Sequence, residues 1–315
     1  MASVETVTGA IEASELGRTL VHEHVMAASE ATRFQFPHLY DREFERRRAT
    51  EDLEAVKAHE VKTIFDPAAL GLGRDVRFMR EVSEETGVNI VPCTGIYRYS
   101  FLPQIFENRD ENFLADALVH DIQQGIQETE IKAAFIKCAV DEPGLTMGVE
   151  KALRAGARAS KGTGRPIMCH THPATDRGRE ALDLFEEEGV DLSTVMLAHT
   201  GDTDDLDLIE KLLERGAWIG LDRYGLDIIL SQEKRNATVA ALCERGHTGR
   251  MFISQDSCST IDWYPEELRA QLAPKWSMTL LFDEVLGELR ALGVSDEQID
   301  QMLVENPREW ISGRS

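Results

Sequence analysis

The sequence contains few cysteines and no pattern that would pair them. Its five cysteines are odd in number and scattered, without a CxxC motif or a repeated spacing. Neither a disulfide framework nor a zinc site built from thiolates is therefore indicated. The simplest setting for such a chain is a reducing compartment, and we expect a cytoplasmic protein.

Long apolar runs and an excess of basic charge are also lacking. No apolar run approaches the roughly 20 residues that cross a bilayer, and the first 17 residues carry three glutamates without the basic start of a signal peptide. The chain has 34 Lys and Arg against 56 Asp and Glu, which gives a formal net charge of −22. This charge opposes binding to nucleic acid or to an anionic membrane surface. A small neutral substrate fits it better.

The sequence instead alternates short apolar segments with helical ones. After a hairpin-like start at 4–8 and 10–11, strands are predicted at 18–23, 62–65, 89–94, 133–139, 166–170, 194–199, 217–221 and 251–255. Helices are predicted at 51–60, 74–86, 111–128, 149–160, 178–188, 206–215, 234–245, 278–292 and 295–304. No linker rich in Gly, Pro or Ser marks a second domain. The alternation predicts one α/β domain over residues 1–315, a (β/α)8 TIM barrel rather than an open doubly wound sheet.

Several of the apolar segments end in residues that bind metals. His22 and His24 lie two positions apart in an extended stretch, so their side chains project to the same side. The ends of later strands carry Lys137, His170, His199 and Asp256. Because the strands of a barrel present their C-terminal ends on one face, we expect all six side chains to meet in one pocket. Any one of these histidines, taken alone, is better explained as a core or surface residue.

Four histidines and an aspartate are more donors than one catalytic ion needs, because such an ion usually keeps three protein ligands and an open position. Two metal ions are the natural division, and such a pair can share a hydroxide and polarise a carbonyl or phosphoryl oxygen. An ammonium group on Lys137 would repel both ions. Desolvation would favour the neutral amine, which can add carbon dioxide and become a bridging carbamate.

The residues alone leave other functions open. Lys137 could form an imine in a metal-independent Schiff-base lyase, or it could bind an anion. A barrel that binds a ligand without turnover is a further alternative, although none of the expected ligand positions has been lost.

A set of motifs occurs here in the order known from one family. They are His22-Glu23-His24, Gly71-Leu72-Gly73-Arg74-Asp75, Lys137, His170, His199-Thr200-Gly201-Asp202, Gly220-Leu221-Asp222-Arg223-Tyr224-Gly225, Asp256, the segment 258–263 and Leu272-Ala273-Pro274-Lys275-Trp276-Ser277. In these motifs, which cover nearly the whole chain, the sequence resembles the phosphotriesterase family of the amidohydrolase superfamily.

The resemblance implies a metal centre with two divalent ions, which are Zn, Co, Fe or Mn, bridged by a hydroxide and by carboxylated Lys137. It implies that His22, His24 and Asp256 hold one ion and that His170 and His199 hold the other. It also implies a homodimer.

Around the pocket the chain resembles the lactonases of this family more than its true phosphotriesterases. Tyr97 stands where the latter carry tryptophan, and Arg223 stands where they carry histidine. The resemblance implies that both act in catalysis with Asp256 and contact the substrate. Further substrate-binding positions that it implies are Cys258, Ile261 and Trp263, although Trp263 could also serve packing alone.

Asp256 is expected to orient the hydroxide, take its proton and return it to the leaving alkoxide. Asp202 is either only the N-cap of the following helix, or a residue that orients Arg223 or relays a proton from Asp256. We therefore expect a metal-dependent hydrolase that opens lactones, such as the N-acyl-homoserine lactones destroyed in quorum quenching, with weaker activity on organophosphates. A primary phosphotriesterase is the alternative.

The remaining histidines are not expected to bind metal. His172 follows His170 by two positions, but Pro173 comes next, which favours a loop residue near or at the surface. The other four are predicted to face solvent from helices and loops, and they are His38, His59, His120 and His247.

Overall fold

Eight parallel strands form the centre of the computed structural model, which describes residues 2–313. The described residues contain twelve strands in all, of which β1, β2, β4 and β12 lie outside the central sheet. They are β1 (Ser3–Thr6), β2 (Gly9–Glu12), β3 (Arg18–Leu20), β4 (Glu23–His24), β5 (Val61–Asp66), β6 (Asn89–Gly95), β7 (Phe135–Ala139), β8 (Ile167–His170), β9 (Val195–Ala198), β10 (Trp218–Leu221), β11 (Met251–Ile253) and β12 (Ser257–Cys258). The central sheet runs in the order β3-β5-β6-β7-β8-β9-β10-β11. With helices around it, this sheet confirms the predicted TIM barrel.

The last gap of the barrel is bridged by β4 and β12, which pair in parallel. The carboxylate of Glu23 accepts hydrogen bonds from the Ser254 hydroxyl at 2.8 Å and from the backbone N–H groups of Gln255 and Ser257 at 2.8 and 2.9 Å. The strand predicted at 18–23 is thus two strands, and the one predicted at 251–255 ends at Ile253.

The helices follow the predicted alternation with shifted ends. They are α1 (Glu30–Gln35), α2 (Arg42–Ala58), α3 (Val76–Thr86), α4 (Gln104–Glu107), α5 (Glu111–Gln123), α6 (Met147–Thr163), α7 (Arg177–Glu187), α8 (Leu206–Glu214), α9 (Gln232–Glu244), α10 (Glu266–Leu272), α11 (Leu286–Ala291), α12 (Asp296–Asp300) and α13 (Asn306–Ser312). The two predicted closing helices contain π-helical turns at Leu281–Val285 and Gln301–Glu305.

Two helix ends differ clearly from the predictions. Helix α2 begins well before residue 51, because the side chain of Asp41 accepts the N–H of Phe44 and caps it there. Helix α5 ends well before residue 128, because Gly125, Gln127 and Glu128 have positive φ angles that a helix cannot contain.

The pocket lies at the end of the barrel where the strands have their C-terminal ends, which we call the upper end. Alternate strand residues such as Phe135 and Met168 fill the interior, while Ile136 and Ile167 face the helices. Lys137 follows Phe135 by two positions and therefore points inward one layer higher. The lower end is packed by Val4 and Leu16 from the N-terminal segment and by Trp310 from α13, a helix that was not predicted.

None of the helices described between residues 2 and 313 has both the length and the apolar character of a membrane span.

Candidate metal centre

The six predicted metal-binding residues meet at the floor of one pocket. Nε2 of His22 lies 3.2 Å from Oδ1 of Asp256 and 3.3 Å from Nζ of Lys137. Nε2 of His24 lies 3.3 Å from the same Asp256 oxygen, and Nε2 of His199 lies 3.8 Å from Oδ2. Donor atoms of His22, His199 and Asp256 all fall within 4.8 Å of one another.

His170 completes this cluster on the side of Tyr97. Its ring lies edge-on to the ring of His199, with centroids 4.6 Å apart, and edge-on to the ring of Tyr97 at 5.3 Å. His24 and His170 are the last residues of β4 and β8, and His199 directly follows β9. Lys137 lies in the middle of β7, while His22 and Asp256 directly precede β4 and β12.

Two buried aspartates hold the opposite edges of three imidazoles. Oδ2 of Asp222 lies 2.7 Å from Nδ1 of His22, and Oδ1 lies 3.1 Å from Nδ1 of His199. Oδ1 of Asp66 lies 3.1 Å from Nδ1 of His24. Carboxylates in this position keep the proton on Nδ1 and leave Nε2 free to face the pocket.

The sequence analysis did not assign Asp66 and Asp222 as partners of the histidines. Asp66 is the last residue of β5 and Asp222 directly follows β10, so both carry the signal of a polar residue at a strand's C-terminal end. That signal identified the histidines, and it could have identified the aspartates.

Two of the candidate ligands adopt backbone conformations that side-chain-bearing residues rarely use. The φ angles of His199 and Asp256 are 68° and 52°. The N–H of His199 donates to Asp222 at 2.7 Å, and the N–H of Asp256 donates to the carbonyl of His22 at 2.9 Å. Such conformations cluster at functional sites, where surrounding contacts hold them.

Burial at the floor favours the neutral forms of Lys137 and His170. Burial lowers the pKa of Lys137, which is 1% exposed, although Asp256 and Asp222 oppose the shift. Burial also lowers the pKa of His170 to about 4. A neutral imidazole is the form that binds a metal ion.

The charges of Asp256 and His24 also bear on metal binding. Burial alone would raise the pKa of Asp256, but the charges of His22, His199 and Arg223 and the hydrogen bond from His24 hold it well below its usual range. Burial lowers the pKa of His24, yet hydrogen bonds with Asp256 and Asp66 outweigh burial and raise it to about 9. The carboxylates therefore favour positive charge here. Four imidazoles, a carboxylate and a lysine fit divalent transition-metal ions.

A cavity opens above the floor. Its walls are mainly apolar and aromatic, and they include Leu72, Tyr97, Leu226, Cys258, Ile261, Trp263, Tyr264 and Trp276, with Arg223 as the charged member. All five predicted substrate-binding residues are among these. The ring of Tyr97 stacks on that of Trp263 with centroids 6.2 Å apart. Burial raises the pKa of Tyr97 to about 12, so its phenol is neutral and can donate a hydrogen bond.

Arg223 bridges two carboxylates. Its Nε donates to Oδ2 of Asp256 at 2.9 Å, and one terminal nitrogen donates to Oδ2 of Asp202 at 3.0 Å. Asp202 therefore contacts Arg223, as one alternative anticipated, while Asp205 is the N-cap of α8. A guanidinium does not release its proton, so it is a poor relay between the two aspartates.

The other histidines lie away from the cluster. His172 contacts the Thr175 hydroxyl at 2.9 Å, and His38 and His120 are exposed. His59 and His247 are partly covered rather than fully solvent-facing, because each contacts a carboxylate, of Asp283 at 3.2 Å and of Glu210 at 3.0 Å.

The chain matches known proteins over nearly its full length. The phosphotriesterase family matches residues 2–311. An aryldialkylphosphatase from Saccharolobus solfataricus is 45% identical over 304 residues, which cover 96% of this chain and 97% of that protein. An N-acetyltaurine hydrolase from Xenopus tropicalis is 24% identical, with 98% and 97% covered.

A solved structure shows the same likeness in three dimensions. The structure of the phosphotriesterase from Mycobacterium tuberculosis is 40% identical, with a TM-score of 0.96, and the match covers 99% of this chain and 100% of that one. The similarity therefore includes both the barrel and the segments that line the pocket.

Proposed function

The chain belongs to the phosphotriesterase family of hydrolases, and we propose that it uses two divalent metal ions to open lactones, N-acyl-homoserine lactones among them, with weaker activity on phosphotriesters. The observation that carries the proposal is the meeting of four histidines, Asp256 and Lys137 below a mainly apolar cavity whose wall holds a neutral phenol.

In this proposal His22, His24 and Asp256 hold one ion, and His170 and His199 hold the other. When bound, the ions supply a polarised carbonyl or phosphoryl oxygen and a water of lowered pKa. The neutral amine of Lys137 attacks the carbon of carbon dioxide, an N–C bond forms as one C=O π bond opens, and the nitrogen releases one proton. The resulting carbamate would supply negative charge at the floor when the ions are bound.

The chain's own residues then move the proton and orient the substrate. Asp256, ionised and held by Arg223 at 2.9 Å, takes a proton from the attacking water and returns it to the leaving alkoxide. The Tyr97 phenol donates a hydrogen bond to the lactone ring. The apolar wall formed by Leu226, Ile261 and Trp263 receives the acyl chain.

The preference for lactones rests on Tyr97. A lactone ring is flat and passes through an intermediate with one charged oxygen, so a single oriented phenol can help to position it. A phosphotriester has three bulky substituents and needs apolar space in the same region. The 45% identical relative named aryldialkylphosphatase favours the second candidate, in which phosphotriesters are the primary substrates.

The test compares two substrates in two enzymes. We expect kcat/KM of the wild type to be higher for a medium-chain acyl-homoserine lactone than for an aryl dialkyl phosphate. Tyr97→Phe should lower kcat/KM for the lactone more than kcat/KM for the phosphate. The loss on the lactone should correspond to about 1 to 3 kcal/mol, the value of one oriented hydrogen bond. Tyr40→Phe, which loses a phenol hydrogen bond to Asp262 outside the pocket, is the control.

Three outcomes would count against parts of this proposal. A wild type that prefers the phosphate would make phosphotriesters the primary substrates. Equal losses on both substrates in Tyr97→Phe would reduce Tyr97 to packing. Full activity in a chelator, with borohydride trapping of a carbonyl substrate on Lys137, would favour the Schiff-base lyase instead.

We also propose that the protein is a homodimer in the cytoplasm. The side chains of Phe34 and Phe101 are 82% and 76% exposed, and Phe36, Leu39 and Met147 are exposed too. Exposed large apolar side chains of this kind are what a contact with another protein covers, and the five free, buried cysteines suit a reducing compartment. Sedimentation of the wild type as a dimer, and of a Phe34→Glu, Phe101→Glu variant as a monomer, would support this contact surface.

A further inference from the structure

A buried arginine that sequence reasoning did not identify lies behind the pocket, in the first turn of α9. Arg235 is 3% exposed. It donates to the carbonyls of Gly201 at 2.6 Å, Leu230 at 3.1 Å and Leu226 at 3.5 Å. It also forms an ion pair with Oδ1 of Asp202 at 2.8 Å. One guanidinium thus joins the turn after β9 to the 222–231 loop, which connects β10 to α9.

Arg235 completes a line of alternating charges that begins at the metal-binding floor. Asp256 contacts Arg223 at 2.9 Å, Arg223 contacts Asp202 at 3.0 Å, and Asp202 contacts Arg235 at 2.8 Å. The two aspartates and two arginines balance in charge. Each is largely buried, so a shift of one is felt by the next with little screening by water.

Placing a charged side chain at the position of Arg235 costs folding free energy, which its contacts must offset. Taking a guanidinium out of water carries a large desolvation penalty. A cation in the first turn of a helix is also opposed by the helix dipole. An apolar residue at this position of α9 would avoid both penalties, so the cost points to a role beyond filling space.

We propose that Arg235 is a positioning residue for the hydrolysis, an inference that rests on the proposed function. It touches neither Asp256 nor the cavity. It holds Asp202, which holds Arg223 against Asp256, and it holds the backbone of the 222–231 loop that carries Arg223 and Leu226 into the pocket wall. Because guanidinium groups keep their protons, the line transmits position and not protons.

The two groups of contacts act on different kinetic constants. The contact with Asp202 supports the orientation of Asp256, so its loss lowers kcat. The contacts with the carbonyls of Leu226 and Leu230 hold the pocket wall, so their loss raises KM. Arg235→Lys keeps the charge beside Asp202 but lacks the planar fork that reaches several carbonyls. Arg235→Met loses both groups of contacts at similar length.

The experiment measures kcat and KM of the metal-loaded protein, with amide hydrogen exchange of the 222–231 loop as a readout independent of activity. We expect Arg235→Met to lower kcat roughly tenfold or more, raise KM and speed exchange in the loop. Arg235→Lys should recover most of kcat while KM stays raised. Arg154→Met is the control, since Arg154 contacts three glutamates between α6 and α7, away from these loops.

The outcomes separate this inference from the proposed function. A wild type inactive on both substrates refutes the proposed function, while loop exchange still decides the role of Arg235. Unchanged exchange in Arg235→Lys and Arg235→Met, or kinetic losses matched by Arg154→Met, overturns the positioning role. If Arg235→Met does not fold, Arg235→Lys decides, because wild-type KM and exchange in that variant also overturn it.

Discussion

Nζ of Lys137 lies 3.3 Å from Nε2 of His22, and both side chains are fully buried. Two positive charges this close together in a buried site would repel each other strongly. Burial lowers the pKa of both groups, and the Lys137 charge lowers that of His22 further. Burial and this repulsion both favour the neutral amine of Lys137, which is the form that reacts with carbon dioxide.

The first prediction concerns this amine. Lys137→Ala should lose most of its bound metal and activity, because no other residue of β7 supplies a negative charge at the floor. A short carboxylic acid in the buffer should restore part of both, since it can occupy the space left by the side chain. Metal content by elemental analysis and the hydrolysis rate are the measurements. Lys211→Ala, at an exposed position of α8, is the control, and normal metal content in Lys137→Ala would refute the bridge.

The second prediction concerns the carboxylate shared by two histidines. Asp222→Asn should weaken metal binding by roughly 10 to 100-fold, because an amide cannot hold both Nδ1 protons as a carboxylate does. Competition with a chelator of known affinity measures the change. Asp207→Asn, on the exposed face of α8, should leave metal affinity unchanged. Wild-type affinity in Asp222→Asn would show that Asp222 is not needed to orient the imidazoles.

The third prediction concerns the pH dependence of Asp256. Arg223 is one of the positive groups that hold the pKa of this carboxyl below its usual range. Removing the charge in Arg223→Met raises that pKa, and a general base works only when ionised. As the pH falls, Arg223→Met should therefore lose activity at a higher pH than the wild type does. Arg223→Lys keeps the positive charge, so the acidic limb of its pH profile should match that of the wild type. The kcat/KM profile from pH 4 to 8 measures this, and identical acidic limbs would contradict it.

The fourth prediction concerns closure of the barrel. Glu23→Gln replaces an oxygen that accepts buried hydrogen bonds with an NH₂ group that cannot, so one or more donors from Ser254, Gln255 and Ser257 lose their partner. The free energy of unfolding should fall by about 2 kcal/mol. Urea unfolding measures it, with Glu54→Gln on the exposed face of α2 as control. An unchanged midpoint would mean that β4 and β12 hold without this carboxylate.

The barrel and the residues at its floor could be predicted from the amino-acid pattern. Apolar strand segments alternate with helical ones, and parallel strands bring their C-terminal ends together at one end of the barrel. That end carries His22, His24, Lys137, His170 and His199. The ends of helices were predicted less well. Helix α2 begins at a capping residue and α5 ends at turn residues, and the apolar period does not mark either.

The pairing of the charged groups could not be predicted in this way, because it depends on long-range contacts. Asp222 reaches His22 across 200 positions of sequence, Ser254 reaches Glu23 across 231, and Arg235 reaches the 222–231 loop and Asp202 at once. Local periodicity tells which face a side chain points to, but it does not tell which partner stands opposite. That choice depends on closing the barrel, because closure brings the first strand beside the last and surrounds these charges with protein instead of water.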